Sequence, residues 1–81
     1  MNEQPKIHDV VALLENTPAK HFERDEPLLL HRGQIGTVVM IYENHAYEVE
    51  FADQQGRTYA MLTIPGEKLM VLHDAPEQAV A

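Results

Sequence analysis

The segment Ala46-Tyr47-Glu48-Val49-Glu50-Phe51 constrains this chain more than any other, because its apolar and acidic side chains alternate with a period of two. Successive side chains of a β-strand point to opposite faces, so Tyr47, Val49 and Phe51 fall on one side and Glu48 and Glu50 on the other. A helix would scatter the same residues around its axis and bury carboxylates. The pattern predicts a sheet with one dry and one wet face. Upstream, Ile35 to Tyr42 is rich in β-branched residues and ends at the polar Glu43-Asn44-His45, which suits a tight turn and makes a hairpin. Downstream, Asp53-Gln54-Gln55-Gly56 offers a glycine for the positive backbone angle of a short loop. Arg57 to Ile64 reads as the far strand of a second hairpin, with Ala60, Leu62 and Ile64 as its inward set.

Pro65-Gly66 breaks that ladder, and a short strand from Lys68 to Leu72 closes the sheet. At the other end, Val10-Val11 tips Val10 to Leu14 towards a strand. Glu15 to Pro27 is polar and charged, with Pro18 and Pro27 opposing regular structure, so a long connecting loop is expected there. Leu28-Leu29-Leu30 then pins the loop back before His31-Arg32-Gly33-Gln34 enters the next strand. With 81 residues there is room for one core. Short strands, hairpin turns and one early loop predict an all-β fold: a small SH3-like barrel of about five strands with one long N-terminal loop, a sandwich needing more strands. The barrel is expected over residues 7–73, between a flexible N-terminus (1–6) and a flexible C-terminal tail (74–81).

Arg32-Gly33-Gln34-Ile35-Gly36-Thr37-Val38-Val39 is similar to the glycine-spaced stretch of many SH3-like and KOW-type barrels. Joined to Asp9-Val10-Val11-Ala12-Leu13-Leu14 upstream, and to Ala46–Phe51 and Gly56-Arg57-Thr58-Tyr59-Ala60 downstream, it resembles Domain of Unknown Function 4926 across roughly residues 9–72. The resemblance implies a small bacterial SH3-like protein with no established catalytic residue. Two features depart from the family pattern: the segment Thr17 to Leu29 is longer and more charged, and Gln34 stands where Asp is common. Gly33 and Gly36 also have a purely physical reading, as positions where a Cβ would clash on entry to a tight strand.

Thirteen acidic residues against six Lys and Arg give a formal charge of −7, which repels phosphate backbones and attracts basic surfaces. The same charge also serves simple solubility. Without cysteine there is neither disulfide stapling nor thiolate chemistry, in keeping with the reducing cytosol. No apolar run approaches the roughly 20 residues of a membrane helix, and Met1-Asn2-Glu3-Gln4-Pro5 lacks the features of a signal peptide, so a soluble cytoplasmic protein is expected.

Catalytic groups are sparse. The five histidines, His8, His21, His31, His45 and His73, have neither helical nor same-face strand spacing, so no metal or other cofactor is expected. Glu48 and Glu50 lie roughly 7 Å apart on a strand, a separation glycosidases also use, but alternating carboxylates on a wet face are ordinary. Serine and cysteine, the usual acyl-transfer nucleophiles, do not occur. Arg32, Arg57 and Lys68 with Tyr42, Tyr47 or Tyr59 suggest a KOW-like RNA-binding alternative, which the charge opposes.

A surface for protein recognition fits better. Met40, Tyr42 and Tyr59, with Met61, would supply contact area among Glu43, Glu48, Glu50 and Asp53, the competing reading being that these apolar residues are core or scattered singles. Met40, Tyr42, Glu43, Glu48, Glu50 and Tyr59 are thus the candidate partner-binding residues. The expectation is a non-enzymatic protein-binding module, most concretely an antitoxin-like or immunity-like neutraliser of a basic partner protein encoded by a neighbouring gene. An accessory subunit of an enzyme complex is the second reading. The residues leave the oligomeric state undetermined.

Overall fold

The computed structural model describes residues 3–79; the outermost positions of the expected flexible ends, Met1, Asn2, Val80 and Ala81, lie outside the described residues. Seven strands form: β1 (Val10–Leu13), β2 (Thr17–Lys20), β3 (Pro27–Leu30), β4 (Ile35–Ile41), β5 (Ala46–Ala52), β6 (Thr58–Pro65) and β7 (Leu69–Val71), with a 3-10 turn, Gly66–Lys68, before β7. β6, β5, β4, β1 and β7 make one antiparallel sheet in that order, and β2 pairs only with β3. The fold is all-β, as the alternation in β5 predicts.

The five strands of the main sheet match the expected ones to within one residue at most ends. The segment expected as a loop, Glu15 to Pro27, is different: it holds β2 and runs into β3, forming a hairpin in which Thr17, Pro18, Ala19 and Lys20 face Leu30, Leu29, Leu28 and Pro27. The prolines mislead because proline is excluded from central strands but tolerated at strand starts and on edges, and both strands of a two-stranded ribbon are edges. A hydrogen bond from His21 N–H to the Glu26 carbonyl, 2.7 Å, closes the hairpin.

The sheet does not close into a barrel. β6 and β7 stand at its two ends and do not pair with each other. The hairpin covers its core-facing side instead: Leu30 is fully buried, Leu28 and Ala19 pack against the core, and Phe22 N–H donates to the Tyr59 carbonyl of β6 at 2.7 Å. Its core partners are Val11, Leu13, Val38, Tyr47, Val49, Phe51, Ala60, Ile64 and Leu69. Tyr47, Val49 and Phe51 are at most 3% exposed. Ala60 and Ile64 join them as expected, and Leu62 is half-buried against them.

The two glycines singled out in the sequence act by different means. Gly36 sits opposite Val11 in β4, and a Cβ there would lie 2.6 Å from Val49 Cγ1 and 2.9 Å from Phe51 Cε1. Glycine is required for contact. A Cβ at Gly33 would meet nothing within 4 Å, but its φ of +89° is one that other residues rarely adopt. The clash reading therefore holds at Gly36 and gives way to backbone conformation at Gly33. Gly56, with φ +80°, serves the β5–β6 turn as expected, and Asp53 Oδ1 accepts the amides of Gln55 and Arg57 there at 2.9 and 3.0 Å.

Pro5 is buried, and Glu3 Oε1 meets His73 Nε2 at 2.7 Å, which joins the segments before β1 and after β7. That hydrogen bond, followed by the charge of Glu3, raises the His73 pKa above its ordinary value of 6.5. A raised histidine pKa stabilises the folded state fully below the unfolded value, and this contribution is lost as pH rises through the folded value. Glu3→Gln should bring the His73 midpoint down towards 6.5 in an NMR titration; an unmoved midpoint would break the assignment. Gly36→Ala should lower stability by about 1–3 kcal/mol through overpacking, read as a lower urea midpoint, and an unchanged midpoint would mean the sheet yields freely at this point.

Candidate functional site

The register of the main sheet decides what its outer face presents. Val11, Val38 and Val49 point inward, so their strand neighbours point out. Across β7, β1 and β4 one outward row reads Met70, Ala12, Ile35. The next reads Val10, Thr37, Glu50, Met61 from β1 to β6, and a third reads Met40, Glu48, Thr63 from β4 to β6. Ile35 is 57% exposed, Met40 51%, Met70 49% and Val10 43%, so exposed apolar side chains of β7, β1 and β4 share the face of the two β5 carboxylates, with Met40 paired to Glu48 and Thr37 standing between Val10 and Glu50.

Two β-bulges produce this arrangement. In β4 the register shifts between Val38 and Met40, so Val39 is the extra residue and Met40, two positions from the inward Val38, turns outward beside Glu48. In β6, Ala60 pairs with Phe51 and Thr58 with Ala52, leaving Tyr59 as the extra residue. Thr58 is thereby turned outward, where its hydroxyl donates to the Glu50 carboxylate.

The carboxylates are held in place. Glu48 Oε1 accepts the hydroxyl of Thr63 at 2.6 Å and that of Tyr42 at 3.2 Å. Desolvation, then the Glu48 charge and this hydrogen bond, raise the Tyr42 pKa above its ordinary range. Met40, Tyr42, Glu48 and Glu50 therefore share one face, and Glu43 is exposed in the β4–β5 turn beyond it. Tyr59 does not join them: its ring packs against the core, 6.5 Å from that of Phe51, and its hydroxyl accepts from Gln34 Nε2. Its place in the bulge explains the difference, since neither neighbour dictates its side. Met61 is outward but half-buried, and Asp53 is spent on its turn.

A model of the family described as Domain of unknown function (DUF4926) matches residues 7–71, spanning every strand from β1 to β7. The chain belongs to DUF4926. No curated protein and no solved structure matches it. The outer face of this DUF4926 chain thus has to be read from its own residues.

The remaining candidates are dispersed. Among the described residues, no three His, Asp or Glu side chains gather as metal ligands would. Of the cations and tyrosines considered for RNA, Tyr47 is core, Lys68 pairs with Glu15 at 3.4 Å, and Tyr42 lies on the outer face, away from the core-packed Tyr59. No helix among the described residues is long and apolar enough to cross a membrane. Val10, Ile35 and Met70 escaped the sequence reading because they come from three strands whose adjacency the chain order conceals. Replacing Glu48 with Gln should lower the Tyr42 pKa by removing the adjacent charge. The tyrosine 13Cζ resonance followed to high pH reads this directly, and an unaltered midpoint would show that the two groups do not interact in solution.

Proposed function

We propose that this DUF4926 chain is a non-catalytic protein-binding module whose outer sheet face docks a basic partner protein, most concretely as an antitoxin-like or immunity-like neutraliser. The observation that carries the reading is that the exposed Val10, Ile35, Met40 and Met70 share one face with Glu48 and Glu50. Large exposed apolar side chains gathered together mark interaction surfaces more often than single ones do. The carboxylates select the partner's sign. Two copies meeting face to face would set Glu48 and Glu50 near their own like, whereas lysines or arginines would meet them favourably. Hydroxyls from Tyr42, Thr58 and Thr63 already hold both carboxylates, so little rotamer freedom remains to be lost on binding.

Co-expression with the product of the neighbouring gene should give a complex and relieve that product's toxicity. Ile35→Glu and Met40→Glu should weaken the complex at least about tenfold by placing charge among these apolar side chains. Glu48→Gln with Glu50→Gln should slow association and flatten its salt dependence. An accessory subunit would instead copurify with an enzyme whose activity falls when the module is withdrawn. No complex and no rescue, or a complex indifferent to Ile35→Glu and Met40→Glu, would remove the proposal.

A further inference from the structure

The tip of the β2–β3 hairpin and the β5–β6 turn face each other across an open groove of about 480 Å3. Arg24 lines it from the hairpin and Arg57 from the turn. Acidic residues outnumber Lys and Arg thirteen to six, yet among the described residues neither guanidinium has an ion-pair partner, while Lys20 and Lys68 both do. Two carboxylates line the same groove, Glu23 and Asp53, and neither settles on an arginine. Asp53 Oδ1 is already taken by the amides of Gln55 and Arg57.

His21 adds a further donor. Its Nδ1 accepts the amides of Glu23 and Arg24 at 3.1 and 3.2 Å, so the neutral ring carries its proton on Nε2. Two guanidiniums with five N–H donors each and one imidazole N–H therefore line this groove, and among the described residues neither guanidinium is paired with a carboxylate. Leu28 and Tyr59 supply an apolar wall. Planar donor forks beside an aromatic ring complement an oxyanion joined to an apolar group, and the volume suits a small ligand.

We propose that this groove binds a small carboxylate or phosphate ester bearing an aromatic or aliphatic portion, with Arg24 and Arg57 on the oxyanion and Tyr59 and Leu28 against the apolar part. The assignment is independent of the outer sheet face. A small ligand fits better than a nucleic acid, because a polyanion extending past the groove would meet a chain of charge −7.

The full chain, labelled with 15N, should be titrated at constant ionic strength with phenyl phosphate, benzoate and inorganic phosphate. Saturable shifts are expected at the side chains of Arg24 and Arg57 and at the amides of Thr58 and Tyr59, with phenyl phosphate or benzoate binding more tightly than inorganic phosphate. The tighter of those two identifies the oxyanion. Arg24→Gln and Arg57→Gln should each weaken binding at least about fivefold while leaving the thermal midpoint in place. Shifts no larger than those from sodium chloride, or full affinity in the double variant, would overturn the assignment. Tighter binding of a short RNA than of phenyl phosphate would overturn it too.

Discussion

Everything in this fold depends on how closely β4 approaches the inner row of β5. Val49 Cγ1 occupies the space that a Cβ on residue 36 would fill, and Phe51 and the Glu50 carbonyl crowd the same point. Glycine there lets Val49 and Phe51 sit fully buried beneath the strand, and β1, which pairs with β4 through Val11 and Gly36, follows the same surface. In a chain this short one cluster carries nearly all the apolar burial, so that single contact bears on the position of three strands, β4, β5 and β1. The β2–β3 hairpin completes the enclosure by adding Leu30, Leu28 and Ala19 on the core-facing side.

With the inner face saturated, the apolar residues left over must go elsewhere. The β4 bulge makes this concrete, because Met40 would point inward if β4 ran as a regular strand from Val38. The extra residue at Val39 turns it out, next to Glu48. A bulge in β6 does the same for Thr58 and aims its hydroxyl at Glu50. Both irregularities shape the outer face: one exposes Met40, the other fixes a carboxylate. Bulges of this kind re-aim side chains at a fixed cost to the ladder, which is the physical reason to look for binding where they occur.

Charge is distributed unevenly in a way that composition conceals. The overall excess of carboxylates suggests a surface acidic throughout. Instead Glu48 and Glu50 share their face with apolar side chains, while Arg24 and Arg57, which have no ion-pair partner among the described residues, line a separate groove. The electrostatic field of a small protein reflects where its charges lie as much as their sum. Regions of different local charge on one domain are compatible with the same net charge.

Much of the strand content was legible before any coordinates, because burial on one face imprints a period of two and turns require particular backbone angles. Tyr47, Val49 and Phe51 declared their side, Gly56 declared its turn, and Glu48 and Glu50 declared the wet face. Val10–Val11 and the Leu69–Val71 strand were also recoverable from β-branched or apolar runs between breakers. The hairpin of Thr17–Lys20 with Pro27–Leu30 was not, since its prolines are tolerated only because both strands are edges, and edge status is a property of the assembled sheet. Nor could local pattern pack Tyr59 against the core or align Ile35 and Met70 across Ala12 of β1. Sequence alone therefore determined which segments extend and which side chains seek the interior. Tertiary structure decided strand order, the two register shifts and the open sheet, because these follow from contacts between residues far apart in the chain, which no local period encodes.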